Sequence, residues 1–261
     1  MRRATQVRSA LRWNRLVAGL GLSAAVVLLL GFRQTPDTEA ATALTAAQVV
    51  QKMVAMNAAR TAALQAYSSI RDYHLVYHGL GHASADMKVK VTYRNPGPKT
   101  FTVLSESGSG MLRHHVLDPL LKTERNEAEI EAREGSAIAP QYYRFKLVST
   151  PHGDQTDYIL ALTPIKKHAG RFVFRGKIWV NPVDFGIEQA EGASVTSLSW
   201  WVSHFSFSYR SRKVGDFWLP AANRCVSHVR LFGPAVLNIT YGDFELTSIR
   251  PVSFVSAGLN P

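Results

Sequence analysis

A single cysteine, Cys225, stands in 261 residues, which excludes an internal disulfide framework and any all-cysteine metal site. Acids are scarce too, 19 against 30 lysines and arginines, for a net charge of +11. The chain lacks H-E-x-x-H, G-x-S-x-G and G-x-x-x-x-G-K-[ST]. With them go the signatures of zinc peptidases, serine hydrolases and P-loop nucleotide enzymes. Long uncharged runs are missing beyond Leu16–Phe32, which excludes a polytopic membrane protein. What is present, 46% hydrophobic and 19% charged residues, is ordinary for a chain with a buried core.

The first segment reads as an address. Arg2, Arg3, Arg8, Arg12 and Arg15 precede the apolar run Leu16–Phe32, with no acid among the first 15 residues. A basic flank followed by such a run is the pattern of a secretory signal or an uncleaved anchor, and both stay open. Ala41-Thr42-Ala43 is the best small-x-small site. Either way residues from about 44 onward lie outside the cytoplasm. That part holds 24 basic and 17 acidic groups, with no Lys/Arg-rich groove for nucleic acid. A moderate basic excess fits work near an anionic lipid surface, so the expected partner surface is the inner membrane.

We read residues 1–33 as signal or anchor, 34–44 as linker, 45–250 as one domain and 251–261 as a tail. Thr45-Ala46-Ala47-Gln48 is a capping box, and Val49, Met53, Met56, Arg60 and Ala63 follow at helical spacing, predicting a helix over 46–66. Its alanine-rich surface suits a cover that can lift off a sheet. The period then drops to two. Runs at 70–77, 86–94 and 100–106 predict strands, joined by Gly79-Leu80-Gly81 and Asn95-Pro96-Gly97-Pro98 turns. A second helical region is expected over 110–133, starting either near Leu112 or at Asp118-Pro119. Runs at 142–149, 156–166, 171–180, 186–191, 198–213, 217–232 and 235–247 complete ten strands. The expected fold is α+β and mostly β, a large curved antiparallel sheet forming an incomplete barrel, with helices on its concave face.

Alternation collects aromatics on one face. Tyr143, Phe145 and Leu147 share a side of their strand, as do Phe172, Phe174 and Ile178, and Trp201, Phe205 and Phe207. Leu237, Ile239 and Tyr241 continue the pattern. An ordinary core accounts for such spacing, but two modest helices are little cover for so wide a sheet. An underfilled, aromatic-lined cavity for an apolar ligand is the functional reading.

Other candidates carry less. His74, His78 and His82 recur every four residues, and His114-His115 are adjacent, without the spacing of a metal site. No metal or cofactor is expected. Ser105–Gly110 reads as a flexible Gly/Ser connector. Glu127, Glu129 and Glu131 fan around a helix instead of converging. Asn238-Ile239-Thr240 matches a glycosylation sequon, which chance produces often. Nothing assembles a nucleophile, a base and an oxyanion donor. The chain reads as non-enzymatic.

Four segments together carry a family resemblance: LTAAQVVQKMVAMNAARTAALQAYSSIRDYHLVY, YRNPGPKTFTV, FVFRGKIWVNPVDFGI and VGDFWLPAANRCVSHVRLFG. The sequence resembles the outer-membrane lipoprotein-sorting proteins, the periplasmic lipoprotein-carrier superfamily that includes lipoprotein-sensing sigma-factor regulators. The resemblance covers most of residues 44–247. It implies an incomplete barrel, helices closing the concave face, and a cavity for the acyl chains of lipoproteins. It also implies an inner-strand arginine that holds the cover shut; no arginine is assigned that role from sequence. The implied location is the periplasm, soluble after signal cleavage or tethered through residues 16–32. The implied partners are acylated lipoproteins or lipid. A tethered form would act as a sensor of mislocalised lipoproteins.

Overall fold

The helix and strand periods read from the sequence meet without a loop between them. In the computed structural model, which describes residues 44–79, 81–134, 138–165, 173–195, 202–229 and 233–249, helix α1 (Ala46–Ala63) runs directly into strand β1 (Leu64–Tyr77). Thr45 caps α1 through a complete capping box with Gln48. The helix ends three residues before the expected 66. Leu64, Gln65 and Ala66 have helical propensity, but Leu64 and Ala66 pair with the last strand and Ala66 also with Arg94. Strand pairing outweighs local preference here.

Strands β2 (Ala83–Arg94), β3 (Thr100–Gly108), β4 (Tyr143–Ser149), β5 (Tyr158–Pro164), β6 (Phe174–Val180), β7 (Ile187–Ser194), β8 (Val202–Val214), β9 (Phe217–Val229), β10 (Gly233–Tyr241) and β11 (Glu245–Ile249) follow. They form one antiparallel sheet in the order β3-β2-β1-β10-β9-β8-β7-β6-β5-β4, with β11 on β1 beside β10. Among the described residues eleven strands replace the ten expected, because the 235–247 run breaks after Tyr241. Gly242 turns there, its N–H donating to Ile70 O at 2.8 Å. The sheet does not close, since β3 and β4 are its edges. The fold is α+β, mostly β, with one large open antiparallel sheet.

Curvature has a local cause between β6 and β7. Gly176 and Gly192 are directly paired, and a Cβ on Gly176 would stand 1.9 Å from Glu191 O. Only glycine allows the backbones this close, so the sheet can bend sharply over the pair.

The expected Gly/Ser connector is a correction. Ser105 to Gly108 continue β3, paired with Ala85–Lys88, and Ser109 caps the next helix through its side chain. The pairing strand supplies backbone partners that a flexible loop would lack. The second helical region starts early: a short helix α2 (Gly110–Leu112), a π-helical turn (Arg113–Leu117) and helix α3 (Asp118–Glu134). In the π turn Asp118 N–H donates to Arg113 O. Widening the turn before Pro119 makes room for a ring that would otherwise crowd the preceding carbonyls.

That helical segment leaves from one edge strand, β3, and the chain re-enters at the opposite edge, β4. It must therefore cross a face of the sheet. Leu112, Val116, Leu117, Leu121 and Ala128 pack on β1, β2, β3 and β10. Helix α1 lies over the other end, where Val49, Val50 and Met53 join Tyr143, Leu160, Leu162, Phe174, Ile178 and Val180.

The end of α1 is fastened. Arg60 is 6% exposed; it donates to Asp184 O at 2.6 Å and Asp216 O at 2.9 Å. Its guanidinium also stands 3.3 Å from the Asp184 carboxylate. That carboxylate accepts from Lys213 at 2.6 Å and from Trp218 Nε1 at 3.0 Å. So α1 is bound at its C-terminal end to two strand connections, which argues against the expected lift-off cover.

Burial raises the Asp184 pKa, but the bonds from Lys213, Trp218 and Gly186, with the Arg60 charge, outweigh it and hold the group below its ordinary value. A depressed carboxylate contributes stability above the unfolded pKa of about 3.9, and that stability is lost as pH falls through the folded value. Urea midpoints measured from pH 6 down should therefore fall below about pH 4. Asp184→Asn should flatten that part of the fall; an identical acid limb in the variant would remove Asp184 from the account.

Candidate functional site

Register carries one face across the whole sheet. Following direct pairs, Phe145 meets Leu162, Ile178 meets Ala190, and Ala190 meets Tyr209. Phe207 meets Cys225, Cys225 meets Leu237, and Leu237 meets Leu75. The set continues through Ala85 on β2. Since paired residues point to the same side, all belong to the face covered by the helices.

The residues singled out from sequence divide by depth on that face. Tyr143, Phe174 and Ile178 are buried beneath α1, with Phe145 partly buried beside them. Leu237, Ile239 and Tyr241 are buried beneath the 110–134 segment. Phe205 and Phe207, on β8, are half-buried, as are Tyr209 and Cys225. The middle strands thus run between two covers. Phe172 and Trp201 lie outside the described residues.

The strip is aromatic and partly covered. Phe207 sits edge-on to Phe174 at 5.0 Å and 6.4 Å from Phe205. Gly192, opposite Phe207, leaves room for the Phe174 ring, whose Cδ2 would stand 2.9 Å from a Cβ there. Burial pushes the Tyr209 hydroxyl up to about 12. It pushes the Cys225 thiol up to about 12 as well, with help from the Glu124 charge. Ionised forms are disfavoured here because little water reaches them.

One polar constellation interrupts the apolar surface. Arg71 on β1 points into the covered face between the Phe101 and Tyr241 rings, 5.4 Å and 4.8 Å from their centroids. Its Nη1 donates to Glu124 Oε2 on α3 at 2.7 Å. Tyr73 donates its hydroxyl to the same carboxylate, 3.0 Å from Oε1. Burial opposes the Arg71 charge, yet Glu124, Tyr241 and Tyr73 outweigh it and raise the guanidinium above its ordinary value. Burial, then the Glu124 charge, raises the Tyr73 hydroxyl, which stays protonated as a donor. Arg71 therefore remains a cation under apolar cover, tied to a helix. It is an ion-pair latch.

Three further contacts run along the helical segment's own edge. Arg113 donates to Glu106 at 3.1 Å, Arg125 to Phe101 O at 3.1 Å, and Lys99 to Glu131 at 2.8 Å. They bind it to β3 and the preceding turn. The Arg71 latch crosses to β1.

Arg71 and Glu124 were missed from sequence, although both leave a signal. Arg71 falls in phase with Tyr67, Tyr73, Leu75 and Tyr77, the buried side of β1. Glu124 falls on the stripe Leu117, Leu121, Ala128, the buried side of the helical segment. A charge in each of two apolar stripes is the mark of a buried pair.

The histidines do not converge. His74 is exposed on the opposite face, its Nδ1 2.6 Å from Asp86, and His114 stands 3.1 Å from Asp118. Among the described residues no group of three or more histidines, cysteines or acids is gathered to hold a metal. No described helix is long and apolar enough to cross a membrane; Leu16–Phe32 lies outside the described residues.

No family model and no curated protein matches the sequence. Among solved structures, the chain is similar to a LolA superfamily protein from Nitrosomonas europaea, at 14% identity and a TM-score of 0.45, covering 80% of this chain and 96% of that one. A putative outer membrane lipoprotein-sorting protein domain from Vibrio parahaemolyticus shares 8% identity at a TM-score of 0.42, covering 76% and 93%. A DUF1329 family protein from Desulfovibrio piger shares 14% at 0.39, covering 78% and 93%.

Proposed function

We propose that the covered face binds acyl chains, and that this chain, in the periplasm, takes up the lipid of acylated lipoproteins and assists their sorting to the outer membrane. The observation that carries the reading is the half-buried strip of Phe205, Phe207, Tyr209 and Cys225 between two helical covers, one of them latched. The sequence resemblance supplies the ligand class. Each methylene withdrawn from water contributes about 0.8 kcal/mol. A triacyl anchor therefore needs a long apolar surface, and the strip with its neighbours offers one. Moving the 110–134 segment aside would join Leu237, Ile239 and Tyr241 to the strip.

The chemistry fits holding and releasing. Arg71 Nη1 and the Tyr73 hydroxyl both donate to the Glu124 carboxylate, which ties the cover to β1. A cover whose four buried leucine and valine side chains each contribute about 1.5–3 kcal/mol is held mainly by the hydrophobic effect. The latch then fixes its position, and an entering acyl chain replaces the apolar contacts that the cover loses. The test is release. Purified residues 44–261 are incubated with spheroplasts whose lipoproteins remain in the inner membrane. A carrier should bring lipoprotein into the supernatant as a one-to-one complex. A tethered sensor would bind detergent-solubilised lipoprotein and release none. A protein that neither binds nor releases lipoprotein would contradict the proposal.

A further inference from the structure

The basic excess of residues 44–261 has a location. On the face turned away from the helices, register places Arg144 and Lys146 on β4, Arg175 and Lys177 on β6, Arg210 on β8 and Arg224 on β9. All six are exposed. None forms an ion pair among the described residues; Arg224 donates to Asn238 at 3.3 Å. The described acids among these strands are Glu191, paired in register with Lys177, and Glu188, which accepts from Asn181 at 2.6 Å. Asp154 and Asp157 lie in the β4–β5 connection. At the other end of the same face Lys88 is paired with Asp72 at 3.2 Å, and His74 Nδ1 stands 2.6 Å from Asp86. Lys90 and Arg94 on β2 share this face without an ion pair among the described residues, but the larger group of unpaired cations lies on β4–β9.

We propose that this open face, from β4 to β9, docks on an anionic phospholipid surface. Strand spacing spreads the six cations over about 24 Å. They do not converge on a point, so a single small anion would meet one or two of them. A plane of phosphates meets all six. At physiological salt the screening length is about 8 Å, so neighbouring cations in this array act together. Basic groups near an anionic leaflet add their attractions. Apolar groups on the same face suit the headgroup boundary: Trp179 and Ile159 are paired and half-buried, and Val226 is 41% exposed. An indole ring among cations is the composition of a membrane-surface contact. The docked face is opposite the acyl-binding face, so the proposal does not depend on what that face binds.

Lysine footprinting of the full chain tests it. The protein is reconstituted in phosphatidylcholine nanodiscs with or without about one-third phosphatidylglycerol, then acylated with a neutral amine-reactive ester. Lys146 and Lys177 should react about three-fold more slowly, or less, in the anionic discs. Lys88 and Lys90, exposed on β2, should be unchanged, and about 0.5 M salt should abolish the difference. A variant combining Arg144→Gln, Arg175→Gln, Arg210→Gln and Arg224→Gln keeps both reporter lysines and should lose the protection. Equal labelling of Lys146 and Lys177 in the two lipids would overturn the proposal, as would protection that persists in high salt or in the folded variant. If the variant fails to fold, the native comparison decides alone.

Discussion

Glu124→Ala should free the helical cover without unfolding the sheet. Removing one partner of a buried ion pair leaves a buried, unpaired charge, at a cost of about 3–5 kcal/mol. The Arg71 side chain is 7% exposed and that of Glu124 is 21%, so partial solvation reduces this to about 2–3 kcal/mol. Arg71 gains water when the cover lifts, which favours the open state. Amide exchange over residues 110–128 should therefore accelerate about 30-fold or more, since 1.4 kcal/mol is a factor of ten. Exchange in β5 and β6, beneath α1, should change little.

The double substitution separates a latch from ordinary packing. Arg71→Met with Glu124→Leu removes both charges and keeps apolar volume, an exchange that is often neutral or stabilising for buried pairs. The double variant should restore slow exchange in the cover. If the pair only packed, each single change would add to the other. Additive losses in the double variant would contradict the latch.

Much of this architecture is legible in the sequence, for identifiable reasons. Strands with one wet face announce themselves by alternation, as Lys88, Lys90 and Thr92 do between Met87, Val89 and Val91. The capping box at Thr45 fixes the start of α1 to the residue. The helix end is not legible, because Leu64–Ala66 suit either state and only their partners on β2 and β11 decide. The Gly/Ser stretch after Leu104 fails for a similar reason. Its composition says loop, while pairing with β2 makes it strand.

The candidate site divides in the same way. Which aromatics share a face follows from period two, and the register agrees for Tyr143, Phe145, Phe174, Ile178, Phe205, Phe207, Leu237, Ile239 and Tyr241. How deeply each is covered depends on where two helices lie, and that is a long-range matter. The Arg71–Glu124 pair spans 53 residues of sequence. Each residue alone reads as a surface charge out of place. Only the crossing of the helical segment from one edge strand to the other brings them together.

Phe205→Asp should have the largest effect on ligand binding. Phe205 lies 6.4 Å from Phe207, packs against the cluster under the 110–134 segment, and faces Ser227 in register. A carboxylate there costs several kcal/mol if dry and unpaired. Because Phe205 is half-buried, the side chain can keep some water while the cover is displaced, and the sheet can still fold. An acyl chain on the strip would bury the charge, so binding bears the penalty even where folding does not.

The direct measurement is the affinity of a fluorescent fatty acyl probe for the wild type and for this variant, with folding checked by circular dichroism. The account predicts saturable binding by the wild type and a loss of about ten-fold or more in the folded variant, the equivalent of 1.4 kcal/mol or more. No saturable binding by the wild type, or unchanged affinity in folded Phe205→Asp, would contradict the claim that this face holds acyl chains.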